Sequence, residues 1–280
     1  MPGTYYEGAS VYNPPQQQQR PRTGPIVWVI LGVVVVAVAV LVWVLWPASK
    51  NQEPSAGPLA SGAQVPSSAK PSGARTPCEY TRSSDAEVAK NVGMPDNAEE
   101  VPATGFVQIT LKTDQGDIPL KLDRAKAPCT VQSMVFLAGK KYYDGTPCHR
   151  LTVIPNFKVL QCGDPGGTGR GGPGYKFDDE LPTDLKPAQG TGGPEQASVY
   201  PKGVIAMANS GPNTNGSQFF LVYGDTFIPP NYTVFGTYTD PGQATLDKIA
   251  AGGVAQTESS LAEGDGAPKT KVTIQQVVTG

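Results

Sequence analysis

The side chains best placed for binding chemistry are the asparagines, serines and glutamine of residues 209–218. They lie within the stretch 203–220, which reads GVIAMANSGPNTNGSQFF, with an apolar run on either side. Both runs are short enough to be buried strands, and the Asn, Gly and Pro residues between them favour a rigid connection. Such a loop suits a groove that presents backbone groups to an extended peptide, although an ordinary hairpin turn explains the same pattern.

The sequence lacks the residues that several common catalytic chemistries need. His149 is the only histidine, which removes nearly all histidine-based metal sites and leaves a Ser-His-Asp triad dependent on one residue. The four cysteines contain no C-x-x-C pair, so the sequence predicts neither a zinc site nor a thioredoxin-like site. The 22 Lys and Arg residues are balanced by 24 Asp and Glu residues, which gives no basic excess for nucleic-acid binding. We therefore expect no metal, no cofactor and no nucleic-acid partner.

Gly167, Gly169 and Gly172 fit the dinucleotide-binding pattern G-x-G-x-x-G. That loop needs a strand before it and a helix after it. Here Pro165 precedes the glycines and Pro173 follows them, so we interpret the segment as a surface loop.

The block MANSGPNTNGSQFF at 207–220 resembles the signature of the cyclophilin family of peptidyl-prolyl cis-trans isomerases. A second block, with CHR at 148–150 and QCGD at 161–164, resembles the part of those proteins that carries the catalytic arginine. With Val234-Phe235-Gly236 added, the similarity extends over residues 106–280. A run of fourteen residues is far more specific than a spaced three-letter motif.

The resemblance implies that Arg150, Phe157 and Gln161 are the catalytic residues. Rotation about an X–Pro amide is opposed by ~18–20 kcal/mol of lost resonance, and without catalysis it takes roughly tens to hundreds of seconds. A permanently charged arginine is suited to stabilise the twisted amide, whose nitrogen becomes basic, and no nucleophile is required. Without the resemblance, a surface or structural salt bridge is the simpler interpretation of Arg150.

The resemblance also implies a set of substrate-binding residues, some as apolar walls of a proline pocket and some as polar groups that orient the peptide. They are Val159, Ala208, Asn209, Gln218, Phe220, Phe227, Ile228 and Tyr232. For the apolar members, ordinary core packing is the alternative interpretation.

The chain departs from the family pattern at two places near this site. Extra residues separate Arg150 from Gln161, which leaves the register of the pocket phenylalanine open. Phe227 stands where the family often has Trp, and Tyr232 stands where His is common. Both changes keep an aromatic wall but remove the indole N–H that the drug cyclosporin uses in sensitive members. We therefore expect catalysis to persist and cyclosporin to bind weakly.

The four cysteines are Cys78, Cys129, Cys148 and Cys162. Outside the cytoplasm an even number of cysteines favours disulfides. Cys148 and Cys162 flank the expected hairpin between Arg150 and Gln161, so we predict the pairs Cys148–Cys162 and Cys78–Cys129. In a reducing compartment, four free thiols are the alternative.

The N-terminal part of the chain has the composition of a membrane anchor. Residues 1–25 are a polar tail that we interpret as disordered and cytoplasmic, and residues 47–77 are a linker rich in Pro, Ser, Ala and Gly. Between them, residues 26–46 are 21 apolar positions without a charge, and about 20 such residues span a bilayer as a helix. A cleaved signal peptide is the alternative, but its apolar region is ~7–15 residues long. Arg20 and Arg22 outweigh Lys50, which predicts that residues 78–280 lie outside the cytoplasmic membrane.

Strand and helix patterns follow along the globular part. Strand patterns occur at 106–112, 117–122, 159–160, 203–208, 219–223, 233–238 and 271–278, and helix patterns begin at Pro128 and cover 244–251. Short strands without strand–helix alternation predict a mainly β fold, an antiparallel barrel or sandwich. The resemblance makes this a closed eight-stranded antiparallel β-barrel capped by two α-helices. We interpret residues 79–104 as an extension packed against it.

Together these patterns predict a monomeric, membrane-anchored prolyl isomerase that assists the folding of exported proteins. Its linker and anchor are typical of a bacterial, actinobacterial-like member, and its substrates would be proline-containing polypeptides. The alternative function is a scaffold or chaperone that grips proline-containing segments without turnover. A purely structural surface protein would not need the polar groove residues.

Overall fold

The computed structural model describes residues 73–84, 88–96, 98–189, 196–255 and 262–280. The predicted cytoplasmic tail, the predicted membrane span at 26–46 and nearly all of the predicted linker lie outside these residues. Neither helix within the described ranges is long and apolar enough to cross a membrane.

The described residues form short strands and two α-helices. The strands are β1 (Arg75–Thr76), β2 (Tyr80–Arg82), β3 (Val101–Pro102), β4 (Phe106–Thr113), β5 (Gly116–Asp123), β6 (Thr146–Pro147), β7 (Arg150–Thr152), β8 (Lys158–Cys162), β9 (Tyr175–Phe177), β10 (Lys186–Pro187), β11 (Ser198–Tyr200), β12 (Val204–Met207), β13 (Phe219–Gly224), β14 (Thr226–Ile228), β15 (Val234–Tyr238), β16 (Val254–Ala255), β17 (Asp265–Pro268) and β18 (Thr273–Thr279). The helices are α1 (Pro128–Gly139) and α2 (Asp240–Ala251), and a 3₁₀ turn spans Ala98–Glu100. The mainly β prediction with two helices is confirmed.

The main sheet has 11 strands in the order β16-β17-β7-β8-β13-β12-β15-β5-β4-β18-β6, and all of its pairings are antiparallel. The prediction of a closed eight-stranded barrel is wrong for the described residues, because the end strands β16 and β6 do not pair with each other. Each of these end strands is only two residues long. Such short strands leave few backbone groups to continue a ladder, so the sheet ends there instead of closing.

Alternation along β12 and β13 separates two apolar clusters. Successive side chains of a strand point to opposite faces of the sheet. Ile205, Phe219 and Leu221 therefore enter the large core, whereas Ala206 and Phe220 enter a smaller cluster on the other face. The pairing of β12 with β13 confirms the two strands predicted on either side of the polar block.

Helix α1 begins at Pro128, as predicted, because a proline fits the first helical turn, where its missing N–H is not needed. Its preceding residue, Ala127, offers no side-chain cap. The carboxylate of Glu180 takes that role from a distant loop, accepting the backbone N–H groups of Cys129 at 3.0 Å and Thr130 at 2.9 Å. A negative charge at this end of a helix is favoured by the helix dipole.

The residues that precede β4 form the extension that the sequence predicts. Strand β2 pairs with β9, and Tyr80 packs edge-on against Tyr175 and Phe177 with ring centroids 5.5 Å apart in both cases. The disulfide between Cys78 and Cys129 ties the extension to α1. Cys148 and Cys162 form the second disulfide, so both predicted pairs are confirmed.

Candidate active site

The candidate catalytic arginine lies on a short hairpin of β7 and β8. In this hairpin Arg150 is directly opposite Gln161, and Leu151 is opposite Leu160. Residues directly opposite in an antiparallel pair have neighbouring side chains. The Arg150 guanidinium donates from Nη1 to Oε1 of Gln161 at 3.3 Å. The structure therefore brings together the two polar residues that the sequence assigns to catalysis.

A third residue, Asp265, fixes the guanidinium from the other side. Arg150 donates from Nε to one carboxylate oxygen at 2.8 Å and from Nη2 to the other at 2.7 Å. Asp265 lies on β17, which pairs with β7 so that Asp265 is opposite Thr152. Sequence reasoning missed Asp265, because 115 residues separate it from Arg150 and nothing local marks it.

Beside the guanidinium lies a cavity of about 140 Å³. Its nine lining residues are Arg150, Phe157, Val159, Gln161, Ala208, Asn209, Phe220, Ile228 and Tyr232. All nine are among the site residues predicted from the sequence, and their individual roles stay predictions.

The apolar walls of this cavity belong to the smaller apolar cluster. The rings of Phe220 and Tyr232 meet edge-on with centroids 5.6 Å apart, and Tyr200 supports both from behind at 6.3 Å. The ring of Phe157 lies 5.4 Å from the Arg150 guanidinium carbon, a distance at which a cation and an aromatic face attract each other. Phe157 thus lies in the cavity lining beside Arg150, and its role as the pocket phenylalanine stays a prediction.

The polar loop 209–215 contributes Asn209 to the cavity lining and is held by Asp179. One oxygen of Asp179 accepts the side-chain amide of Asn215 at 2.8 Å, and the other accepts the backbone N–H of Asn213 at 2.8 Å. Asn209 donates its side-chain amide to the carbonyl of Asn231 at 2.8 Å. Asp179 is a second residue that the sequence reasoning missed, because it is one of three consecutive acids, Asp178 to Glu180, in a segment with no recognised motif.

Two predicted binding residues lie outside the cavity lining. Gln218 accepts a hydrogen bond from Gln161 at 2.9 Å and donates to the carbonyl of Gly171 at 3.0 Å, so it extends the polar row that starts at Arg150. Phe227 lies on β14 opposite Val199, and its backbone N–H donates to the carbonyl of Asn156 at 2.7 Å. Ile228, the next residue, is the one that lines the cavity.

The glycine-rich segment is a loop, as the sequence predicts, and it is folded around Asp164. The strand β9 follows it, so the helix that a dinucleotide site requires is absent there. The buried Asp164 carboxylate accepts hydrogen bonds from the N–H groups of Gly166 at 2.8 Å, Gly169 at 2.8 Å and Gly171 at 3.2 Å. Burial raises the pKa of this carboxyl, but these and the Thr168 hydrogen bonds outweigh burial and lower the pKa below its ordinary value.

His149 is adjacent to Arg150 but is not arranged as a catalytic base. Burial lowers the pKa of its imidazole, and the positive charge of Arg150 acts in the same direction against the opposing charge of Asp164. Neither of its ring nitrogens has a hydrogen-bond partner among the described residues. Burial therefore favours the neutral imidazole, and Arg150 supplies the positive charge at this site.

Comparison with known proteins gives the same family throughout. The family model "Cyclophilin type peptidyl-prolyl cis-trans isomerase/CLD" matches residues 106–279. The "Probable peptidyl-prolyl cis-trans isomerase B" of Mycobacterium leprae is 50% identical over 201 residues, which are 71% of this chain and 65% of that protein. Its namesake in Mycobacterium tuberculosis H37Rv is 48% identical over 72% of this chain and 63% of that protein. The matched regions thus span just under two thirds of these relatives.

A human relative and a solved structure extend the comparison beyond bacteria. Human "Peptidyl-prolyl cis-trans isomerase-like 3" is 42% identical over 51% of this chain and 81% of that protein. The crystal structure of a cyclophilin type peptidyl-prolyl cis-trans isomerase of Cryptosporidium parvum superposes with a TM-score of 0.50 at 29% identity, covering 63% of this chain and 98% of that one. The chain belongs to the cyclophilin-type peptidyl-prolyl cis-trans isomerase family.

Proposed function

We propose that this protein accelerates cis-trans rotation of X–Pro bonds in polypeptides and so assists the folding of exported proteins. The observation that carries the proposal is that the Arg150 guanidinium is held in one orientation beside an apolar cavity. Asp265 and Gln161 orient the Arg150 guanidinium at the edge of a cavity of about 140 Å³ whose walls are largely aromatic and aliphatic. All of these residues come from a single chain, so a monomer is sufficient.

The geometry supports electrostatic catalysis without a covalent step. Guanidinium has five N–H donors, and Arg150 uses three of them on Asp265 and Gln161, which leaves two for a substrate. These donors are already oriented before the amide twists, so little reorganisation is needed when its nitrogen becomes basic. The cavity would hold the proline ring while the rest of the amide rotates. Stabilising the twisted form more than the planar form is what raises the rate.

The test is direct measurement of exchange between the cis and trans forms of one proline peptide by NMR, with the purified full chain in detergent micelles. We expect the wild type to accelerate the exchange and Arg150→Ala to do so far less while still binding the peptide. If the wild type binds the peptide but leaves the exchange rate unchanged, the proposal is wrong and the non-catalytic scaffold becomes the function.

We further propose that the chain is anchored by residues 26–46 with its N-terminus in the cytoplasm and its isomerase domain outside. Three observations support this arrangement: the uncharged apolar run, the excess of arginine on its N-terminal side and the two disulfides. Disulfides persist in oxidising compartments outside the cytoplasm. The similarity to mycobacterial proteins supports an actinobacterial-like member. Protease added to intact cells should digest residues 78–280 and spare the tail; protection of the domain would contradict the arrangement.

A further inference from the structure

A second cavity, of about 180 Å³, adjoins the proposed proline cavity. The two share Gln161, Ala208 and Asn209 as lining residues. A peptide advances about 3.3 Å per residue when extended, so a chain seated in the first cavity passes the second within a few residues. The second cavity is therefore placed to receive a side chain near the proline.

One wall of this second cavity comes from the N-terminal extension. Ser83 lines the cavity, and its backbone N–H donates to the carbonyl of Gly174 at 3.1 Å. Further along, Val88 bridges to Gly172 and the Ala89 N–H donates to the same glycine at 3.0 Å. The extension lies before residue 106, outside the part that the family model matches. This wall thus lies outside the family core.

The glycine-rich loop that forms the adjoining wall is held rigidly from both sides. A Cβ at Gly171 would lie 2.3 Å from the Asp164 carboxylate and 2.5 Å from the Ala89 side chain, so only glycine fits between them. The carbonyl of Gly171 in turn accepts the Gln218 amide, and Gln218 is bonded to Gln161. A continuous row of hydrogen bonds therefore joins this wall to Arg150.

The charged residues that line the second cavity are all positive. Arg170 and Lys176 are its charged lining residues, and its lining contains no Asp or Glu. Both side chains are exposed, and neither forms an ion pair with any residue that the structure describes. Asp164 lies behind the loop, where its carboxylate is buried and occupied by backbone donors. Two cations beside a polar cavity that has no acid in its described lining attract an anionic group.

We propose that this cavity is a substrate subsite, walled by the extension, that selects an acidic side chain close to the isomerised proline. This inference rests on the proposed function, because it concerns the same peptide groove. The recognised chemistry is a carboxylate bound by Arg170 and Lys176, with Ser83 and the loop 169–174 shaping the space around it.

The experiment uses the full chain and synthetic proline peptides. Each peptide carries one Glu at one of the three positions on either side of the X–Pro bond, and a matched peptide carries Gln there. We expect kcat/KM from NMR exchange, and affinity from peptide titration, to favour Glu at one position by roughly three- to tenfold, the range for one or two exposed ion pairs. The preference should disappear in Arg170→Gln/Lys176→Gln and weaken as salt rises.

Two controls make the result decisive. Lys202→Gln removes an exposed lysine that lines neither cavity and should keep the preference. Asp85→Asn/Glu87→Gln removes the two acids that next follow Ser83 in sequence and should leave the preference equal or larger. Equal rates and affinities for Glu and Gln at every position, in both the wild type and this variant, would overturn the subsite. If peptides bind with the Glu preference but exchange is never accelerated, the subsite stands and the isomerase proposal fails.

Discussion

Arg150 and Asp265 form a bidentate ion pair, with N–O distances of 2.8 and 2.7 Å, at the edge of the proposed proline cavity. The Asp265 side chain keeps 6% of its surface exposed and that of Arg150 keeps 29%. The acid is thus part of the protein interior, while the arginine extends from it toward the proposed proline cavity. A planar guanidinium held at two points cannot rotate freely, so Asp265 determines where the remaining donors point.

We predict that Asp265 is a positioning residue. Asp265→Ala should lower kcat/KM by roughly 10- to 100-fold, because small misplacement of a catalytic group has effects of that size. Asp265→Asn keeps one acceptor oxygen, so its kcat/KM should lie between those of the wild type and the alanine variant. Peptide affinity, measured by titration, should change little in either variant, and circular dichroism checks that both fold. Full turnover by a folded Asp265→Ala would show that the pair is only structural.

The arginine itself gives a larger expected effect. Arg150→Ala should reduce the exchange rate by ~10²–10³, the loss seen when one preorganised donor is removed from an active site. Arg150→Lys should restore little, because a lysine has no planar fork to occupy Asp265 and Gln161 while it also reaches the substrate. NMR exchange spectroscopy on both variants, with peptide affinity measured alongside, separates a loss of rate from a loss of binding. Near-wild-type exchange in Arg150→Lys would mean that charge alone is sufficient.

The cavity wall should behave differently from the arginine. Phe220 is 5% exposed and packs against both Tyr200 and Tyr232. Phe220→Ala removes a contact that both the planar and the twisted amide make, so we expect weaker peptide binding together with a lower kcat/KM. Stability should also fall by ~3–5 kcal/mol, as for other buried phenylalanines, and this is measured by denaturant unfolding. Phe220→Leu is the matched control, since it retains most of the wall. A folded alanine variant with unchanged affinity would remove Phe220 from the binding surface.

The family resemblance predicted Arg150, Gln161 and Phe220 for this site, whereas local patterns predicted only the hairpin and the strands that carry them. Arg150 and Gln161 meet because a single hairpin joins them, and Ala206 and Phe220 meet across the two strands that flank the polar block. Asp265 could not be predicted in this way, because its contact with Arg150 depends on the pairing of β17 with β7 across 115 residues.

The sequence patterns also did not predict where the main sheet ends, or the cavity wall made by Ser83. Two-residue strands such as β6 and β16 leave no periodic signal, yet they determine where the sheet ends. Ser83 lies in an extension with no recognised motif, and its position depends on the pairing of β2 with β9. Each of these features depends on long-range contacts, which periodicity within a short window does not report.

The two disulfides should contribute unequally to function. Each closes a loop, of 51 and 14 residues in sequence separation, and loop closure predicts a loss of about 3–4 kcal/mol for each pair removed. Cys78→Ser/Cys129→Ser frees the extension and should change peptide selectivity more than the rate of a neutral peptide. The Cys148–Cys162 disulfide lies beside the Arg150–Gln161 pair in sequence, so Cys148→Ser/Cys162→Ser should lower the exchange rate for every peptide. Denaturant unfolding and exchange rates on both double variants test this, and identical kinetic effects would contradict it.

Asp164 should make stability depend on pH in the acid range. Its pKa is lowered below the ordinary value of 3.8, so its contribution is present above that value and is lost as the pH falls through the folded-state pKa. Asp164→Asn should cost ~1–3 kcal/mol at pH 7, because backbone donors of the loop lose their acceptor. The difference from the wild type should shrink below pH ~4. Unfolding curves from pH 2 to 7 measure it, with the half-exposed Asp144→Asn as control. A difference that stays constant with pH would assign the loss to packing alone.

Cyclosporin should bind weakly, and the position of Phe227 makes the reason testable. A missing indole donor costs on the order of 1–3 kcal/mol, or about one to two decades in affinity. The Phe227 ring lies outside the cavity lining, whereas the neighbouring Ile228 and the aromatic Tyr232 belong to it. Phe227→Trp should therefore raise the affinity only if the bound drug extends over the rim of the cavity to β14, and we expect a gain of up to about tenfold. Tyr232→His is the matched change inside the cavity. Titration of the drug against both variants and the wild type measures these affinities. A gain in affinity in Tyr232→His alone would locate the determinant at the cavity wall. Tight binding by the wild type would show that no indole donor is needed.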